Sequence, residues 1–323
     1  MIVLEKIKSF IKVRWKSISI IVLIALLLAV LLALIIYYYG FQNSGQDLKN
    51  GPMKYLFSVG EGEGECSLKG PLAAAISESK IYVADSVNGK VKVFTSKGSF
   101  LFSFAVPSDQ SVAYLAGIMV GPDRNIYVSE VKSQRLMVFD SRGKYLYDFP
   151  KKRKVIIKPI ALFYLNQKFY VTDVGDHTVK VFDLSGNLLK KIGKGGNGIG
   201  EFSYPNGVAV DKDGKIYVSD SNNSRIQVFD ANGKFIFKIG GQSSSKKILH
   251  LPRGIIVDSL SRIHVADPFA HEVLVFDKEG KHLFSYGQEE NILVAPNGIT
   301  FGPEDKNIYV TDRINNTVKV WTY

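Results

Sequence analysis

Two hydrophobic patterns divide the chain. Residues 18–39 form one uncharged, almost wholly apolar run, whereas from Lys54 onward apolar residues come in short stretches rich in Val, Ile, Phe and Tyr, separated by clusters of Gly, Asp, Asn and Ser. The first pattern predicts a helix long enough to cross a bilayer, and the second predicts β-strands joined by tight turns. The second pattern is also periodic. Ile81-Tyr82-Val83-Ala84-Asp85 returns as Ile126-Tyr127-Val128-Ser129-Glu130, Phe169-Tyr170-Val171-Thr172-Asp173, Ile216-Tyr217-Val218-Ser219-Asp220, Ile263-His264-Val265-Ala266-Asp267 and Ile308-Tyr309-Val310-Thr311-Asp312. With the acids as markers the spacings are 45, 43, 47, 47 and 45 residues, so six units fill residues 54–323.

Each unit repeats the same four β-rich runs. In the fourth, residues 206–210 lead through Asp211-Lys212-Asp213-Gly214 to 216–219; a polar loop then precedes 226–229, the turn Asp230-Ala231-Asn232-Gly233, and 235–239. Asp-Gly and Asn-Gly supply the positive φ angles that tight hairpins need. A lone four-stranded sheet cannot bury both of its faces, so the units must stack, and radial stacking gives a β-propeller. The sixth unit stops after its third strand, 318–321. Its missing fourth strand is expected at the other end of the domain, where Lys54-Tyr55-Leu56-Phe57-Ser58-Val59-Gly60 copies Lys281-His282-Leu283-Phe284-Ser285-Tyr286-Gly287 at five of seven positions. Residues 54–60 should therefore complete the last blade and cover its open edge.

Tyr204-Pro205-Asn206-Gly207-Val208-Ala209-Val210-Asp211, followed by Ile216 to Asp220 and Asn223-Ser224-Arg225-Ile226-Gln227-Val228-Phe229, resembles the NHL repeat. The likeness spans about 270 residues and is strongest in units four to six. In the first three units Leu72-Ala73, Ala116-Gly117 and Ile160-Ala161 replace Asn-Gly or Arg-Gly. The resemblance implies a six-bladed propeller, in agreement with the count of units. Functions within the family are diverse, so it fixes shape more than chemistry. The predicted fold class is all-β, a six-bladed NHL-type β-propeller preceded by one N-terminal transmembrane helix.

At 1.5 Å per residue the 18–39 run spans roughly 33 Å, enough for a hydrocarbon core. A cleaved signal peptide would have a shorter apolar stretch ending in small residues, whereas this one ends Ile35-Ile36-Tyr37-Tyr38-Tyr39, as a signal anchor would. Lys6, Lys8, Lys12, Arg14 and Lys16 precede it, while Lys49 and Lys54 follow. The positive-inside rule thus makes residues 1–17 a short basic cytoplasmic tail and places the propeller outside the cytoplasm, at the plasma membrane. Residues 40–53 read as a linker. It would feed the fourth strand of the closing blade from the bottom face, so the opposite, top face is expected to point away from the bilayer. The formal charge of the chain is +11; with the basic tail set aside about +7 remains, too diffuse for a nucleic-acid footprint unless clustered. The single cysteine, Cys66, excludes an intramolecular disulfide and any site with several thiolates.

Candidate chemistry gathers on the top face, where the loop after strand two and the link between units lie. Asn206, Arg253 and Asn297 begin the inner strands of units four to six, opposite Leu72, Ala116 and Ile160, so the channel mouth should be half polar and half apolar, suited to an amphipathic ligand or peptide. Lys151, Lys152, Arg153 and Lys154, with Lys158, make one link strongly basic, a candidate site for an anionic polymer, an acidic protein or a lipid headgroup. Some NHL propellers bind RNA on a basic top face, but interleaved exposed aromatics are absent here, and nucleic acid is disfavoured outside the cytoplasm. The acids Asp85, Glu130, Asp173, Asp220, Asp267 and Asp312 recur once per unit, which predicts a structural job: fixing the loop ahead of strand three, with partners such as Arg225 or Arg135.

Metal chemistry finds little support. Related amidating lyases hold zinc with central histidines, and gluconolactonase-like propellers hold a divalent ion with carboxylate and amide groups. None of His177, His250, His264, His271 and His282 falls on an inner strand, and no acid does either. Gly193-Lys194-Gly195-Gly196-Asn197-Gly198 fits a dinucleotide-binding pattern but precedes a strand rather than a helix, and Asp211-Lys212-Asp213-Gly214 reads as a hairpin turn. The reading is a membrane-anchored extracytoplasmic module that binds or scaffolds a protein, peptide or anionic envelope polymer through its top face. No catalytic residue, cofactor or metal is assigned. The alternative is a divalent-metal-dependent propeller hydrolase or lyase, gluconolactonase-like or amidating-lyase-like.

Overall fold

A computed structural model describes residues 30–33, 53–108, 111–152, 154–241, 248–288 and 291–323. The chain divides into two units, Met1–Gly51 and Pro52–Tyr323. In the first, Val30, Leu31, Leu32 and Ala33 are helical with exposed side chains. The remainder of the 18–39 span, the 1–17 tail and residues 40–52 of the linker lie outside the described residues. Among the described residues no helix is long and apolar enough to cross a membrane.

The second unit consists of six four-stranded antiparallel sheets, the blades. Blade 1 runs Pro71–Ser77, Lys80–Asp85, Lys90–Thr95 and Phe100–Ala105, and blade 2 Leu115–Val120, Ile126–Glu130, Arg135–Phe139 and Tyr145–Phe149. Blade 3 is Pro159–Leu165, Lys168–Asp173, Thr178–Phe182 and Leu188–Ile192, and blade 4 Pro205–Val210, Ile216–Asp220, Arg225–Phe229 and Phe235–Gly240. Blade 5 is Ile255–Val257, Ile263–Asp267, Glu272–Phe276 and His282–Tyr286. Blade 6 takes Pro296–Phe301, Asn307–Asp312 and Thr317–Thr322 from the end of the chain and Lys54–Val59 from the start of the domain.

Alternation along each strand explains the stacking. In blade 4, Ile216, Val218 and Phe229 enter the core shared with blade 3, while Tyr217, Ile226 and Val228 enter the core shared with blade 5. Both faces of the sheet are apolar because successive side chains point to opposite sides and both sides are covered. The buried core is accordingly split into six clusters, one in each seam between neighbouring blades. The last seam, between blades 6 and 1, joins Val59, Tyr309, Val318 and Val320 to Ala74, Ile81, Val83 and Phe94.

The closing strand is held by main-chain and ring contacts. Lys54–Val59 pairs antiparallel with Thr317–Thr322, setting Tyr55 opposite Trp321 and Val59 opposite Val318. The Tyr55 and Trp321 rings meet edge-on at 5.9 Å. Around the hub the inner strands approach so closely that the second residue of the Asn-Gly or Arg-Gly pair has no room for a side chain. A Cβ on Gly254 would lie 2.6 Å from the Asn297 carbonyl oxygen, and one on Gly298 would lie 2.5 Å from that of Leu72. Ala73 and Ala161, the next smallest choice, occupy this place in blades 1 and 3.

Deleting Lys54–Val59 removes the outer strand of blade 6 and one wall of two seams. The expected outcome is a lower thermal midpoint for the whole ring and a red-shifted emission from Trp321, read in a Trp15→Phe background. Unchanged melting and emission would show that the ring closes without this strand.

Candidate functional site

The top face is organised by the acid that ends each second strand. Asp85, Glu130, Asp173, Asp220, Asp267 and Asp312 are all 0% exposed. Each accepts backbone N–H groups from the link that enters its own blade: Lys69 at 2.6 Å to Asp85, Tyr114 at 2.8 Å to Glu130, Ile157 at 2.7 Å to Asp173. Ser203 donates to Asp220 at 2.6 Å, His250 to Asp267 at 2.6 Å and Val294 to Asp312 at 2.8 Å. Several also cap the following loop, as when Ser133 N–H reaches Glu130 at 2.6 Å and Gly175 N–H reaches Asp173 at 2.9 Å. Three carry a buried cation: Lys92 lies 3.3 Å from Asp85, Lys180 2.6 Å from Asp173 and Arg225 2.7 Å from Asp220. Burying a carboxylate is costly unless such donors replace its water, so the acid obliges link and loop to hold one conformation. Arg135, named from the sequence as a partner for these acids, forms an ion pair with Asp148 on the outer strand at 3.4 Å.

A second set of bonds crosses from blade to blade. The residue just before strand three is left-handed in every blade: Gly89, Gln134, His177, Ser224, His271 and Asn316 have φ between 54° and 63°. From this pivot His177 Nδ1 accepts the Tyr204 N–H at 3.2 Å, and Asn316 Oδ1 accepts that of Gly70 at 2.8 Å. Ser224 Oγ donates to the His250 carbonyl at 2.8 Å, and His271 Nδ1 lies 2.6 Å from the Val294 carbonyl, to which it donates. His177 and His271 thus bridge successive blades. Closer to the axis, hydroxyls on strand two do the same, with Ser129 donating to the Ile160 carbonyl at 2.9 Å and Thr311 to that of Leu72 at 3.1 Å.

The inner strands enclose an axial cavity of about 330 Å³. Asn206, Arg253 and Asn297 line one side of its mouth, and Leu72, Ala116 and Ile160 the other; further along lie Ile76, Met119, Phe163, Ile256 and Phe301. Arg253 is the one charged residue of the lining. Its Nη1 donates to Asn206 Oδ1 at 3.2 Å, whereas its Nε is buried and meets no partner among the described residues. Asn206 Nδ2 is held by the Tyr204 carbonyl at 2.9 Å and Ser221 Oγ at 2.7 Å, and Asn297 Nδ2 by the Leu72 carbonyl at 2.8 Å. Desolvation pushes the Arg253 guanidinium below its ordinary pKa; Tyr114 and Asp267 oppose this and the neighbouring Arg313 adds to it.

The lining contains no Asp, Glu, His or Cys, so a divalent ion in the channel would meet amide oxygens and a guanidinium. Among the described residues no group of three or more such side chains is arranged to hold a metal. The donor set does not fit the ion that a gluconolactonase-like or amidating-lyase-like site would hold. Lys151, Lys152, Lys154 and Lys158 are exposed on the link into blade 3; Arg153 lies outside the described residues. An element missed in the sequence is an apolar rim on the top loops. Val87, Phe269 and Ile314 are 61%, 67% and 62% exposed, and each stands two positions past its repeat acid, the spacing that could have revealed them.

Blade 5 departs from the pattern on its bottom side. In blades 2 and 4 a strand-two tyrosine bonds the carboxylate of the first hairpin turn, Tyr127 reaching Asp123 at 3.2 Å and Tyr217 reaching Asp211 at 3.0 Å. In blade 5 the tyrosine is His264, and Tyr323 supplies the missing phenol, donating to Asp258 at 2.8 Å and lying 2.9 Å from His264 Nε2. Arg262 Nε reaches Asp258 at 2.6 Å and stacks over the Tyr323 ring at 4.3 Å, while the Tyr286 hydroxyl faces His264 Nδ1 at 3.5 Å. A neutral imidazole fits these contacts when Tyr286 donates to Nδ1, Nε2 donates to Tyr323 and Tyr323 donates to Asp258, whose Oδ2 lies 3.4 Å from Nε2. Burial holds the His264 pKa below the ordinary value despite Asp258. A depressed histidine contributes fully above the unfolded pKa of about 6.5 and progressively less below it, because the unfolded chain then takes up a proton that the folded one excludes. The thermal midpoint should thus fall more steeply from pH 7.5 to 5.5 in the native chain than in His264→Gln. Parallel slopes would mean that the fold does not lower the pKa of His264.

Comparison with known proteins agrees with this architecture. A family model for the NHL repeat matches residues 202–229, and one described as a 6-bladed beta-propeller matches residues 151–214. No curated protein sequence matches the chain. Among solved structures, a gluconolactonase from Xanthomonas campestris superposes with a TM-score of 0.62 at 16% identity, covering 86% of this chain and 92% of that one. Virginiamycin B lyase from Staphylococcus aureus, in a catalytically inactive form with quinupristin, gives 0.57 at 16% identity over 81% and 82%. A streptogramin B lyase gives 0.59 at 15% identity over 83% and 87%. At such identities the likeness is one of fold. With the six closed blades, these matches show the fold of a six-bladed β-propeller, in which residues 202–229 match the NHL-repeat model.

Proposed function

We propose that this propeller is a binding module that receives its partner on the top face, over the mouth of the axial channel. We further propose that residues 18–39 anchor it in a plasma membrane with the propeller outside the cytoplasm. The observation that carries the first reading is the top face itself: a largely desolvated guanidinium in the mouth that forms no ion pair among the described residues, and apolar side chains left in water at Val87, Phe269 and Ile314 on the top loops of blades 1, 5 and 6. Apolar groups scattered on a surface need no explanation, but a set at one loop position in three successive blades marks a surface that gains by being covered. The exposed lysines of the 151–158 link add a preference for anionic partners. The anchor rests on the length and flanking charge of the 18–39 run.

The partner class is an extracytoplasmic protein, peptide or anionic polymer. Phe269→Ser with Ile314→Ser, and separately Lys151→Glu with Lys152→Glu and Lys154→Glu, should each weaken capture of envelope material by tenfold or more while leaving the thermal midpoint within about 2 °C, since exposed substitutions change stability by about 0.5 kcal/mol or less. Equal capture by all variants would remove the top face from consideration. In the same preparations, carbonate extraction should leave the full chain in the membrane pellet and release a chain lacking residues 18–39.

A metal-dependent hydrolase or lyase remains the competing reading, because propellers of this shape include proteins described as lyases and a gluconolactonase. Elemental analysis after gentle purification separates the two. The expected result is no stoichiometric divalent ion and a melting curve indifferent to chelator; one tightly held ion per chain would favour the enzyme.

A further inference from the structure

We infer that the axial channel binds an amphipathic carboxylate, with the anionic head at the mouth against Arg253 and the apolar tail running down the axis between the inner strands. This rests on the reading of the top face as a receiving surface and adds the chemistry of what enters the channel.

The head position follows from unmatched charge. Arg253 is the one ionic group of the lining, and Asn206 occupies only one of its guanidinium nitrogens. The buried Nε donates to nothing among the described residues. The nearby carboxylate, Asp267, is already engaged by the N–H groups of His250, Leu251, Phe269 and Ala270. Arg313, exposed on the top loop of blade 6, adds a second positive charge close enough to depress the first. A desolvated guanidinium that forms no ion pair among the described residues is suited to a carboxylate, and a bound anion offsets both its desolvation and the repulsion from Arg313.

The tail position follows from the remaining lining. Across the mouth stand Leu72, Ala116 and Ile160, and further along Met119, Phe163 and Phe301, none of them ionisable. Five residues of inner strand give a passage roughly 16 Å long. A cavity of about 330 Å³ lies at the small end of the range for small-molecule sites, so it admits a medium-length acyl chain or a short peptide end and excludes a folded partner or a bulky polysaccharide.

The test uses the full chain in lipid nanodiscs, with empty discs as the blank, and isothermal titration with octanoate, N-acetyl-leucylleucine, octanol and octyltrimethylammonium. At least one of the two carboxylates should bind saturably at one per chain, and at least tenfold more tightly than octanol or the ammonium compound. Preference for octanoate assigns a lipid-derived acid, and preference for the acylated dipeptide assigns a peptide end. Arg253→Gln should weaken the preferred carboxylate tenfold or more, and Arg253→Lys should restore part of the loss at an unchanged thermal midpoint. Octanol binding as tightly as the carboxylates, with no effect of Arg253→Gln, would overturn the inference while leaving the channel as a ligand site. Failure of all four probes to bind a chain that melts normally would overturn the inference and the receiving channel together.

Discussion

The architecture depends on one constraint: each blade is a four-stranded sheet whose two faces are both apolar. Such a sheet has no solvent-facing side, so it is stable only between two neighbours, and a row of them ends in two bare faces unless it closes on itself. The six seam clusters are the result, each built from alternate residues of adjoining blades. Closure couples the strand Lys54–Val59 to Thr317–Thr322, residues far apart in sequence, and makes the blades one cooperative object.

Closure also requires the hub to be narrow, and this governs the inner-strand sequences. Glycine or alanine follows the first inner-strand residue because the next blade's carbonyl stands where a larger side chain would go. The residue before it is free to face the mouth, and there the chain is asymmetric, with Leu72, Ala116 and Ile160 on one half and Asn206, Arg253 and Asn297 on the other. The channel therefore acquires its chemistry at the positions that backbone packing does not dictate.

The buried acids provide the rigidity that such a mouth needs. Each replaces its lost hydration with N–H donors from two segments that would otherwise be loose, the link into the blade and the loop ahead of strand three. The left-handed residue that follows carries this order into the next blade through His177, Ser224, His271 and Asn316. Lys92, Lys180 and Arg225 each meet one of the buried acids, which sets Arg253 apart. It lies near Asp267 and forms no ion pair among the described residues.

The repeating Ile-Tyr-Val-Ser-Asp run was enough, without coordinates, to determine the strand order, the number of blades and the all-β class, because period-two burial and turn chemistry are local properties that a sequence records directly. The prominence of Asn206, Arg253 and Asn297 was legible for the same reason, since they occupy one fixed position in the repeat. The tertiary structure decided what those positions touch. That the repeat acids reach back to the entering link, that the loop histidines bridge blades, that Arg135 faces Asp148, and that Tyr323 completes the site vacated by tyrosine at His264 are all contacts between residues distant in sequence. Such contacts arise from the angle at which each blade meets the next, and no single repeat encodes that angle. The surroundings of Arg253, which forms no ion pair among the described residues, belong with them, because pairing between blades is decided only in the folded ring.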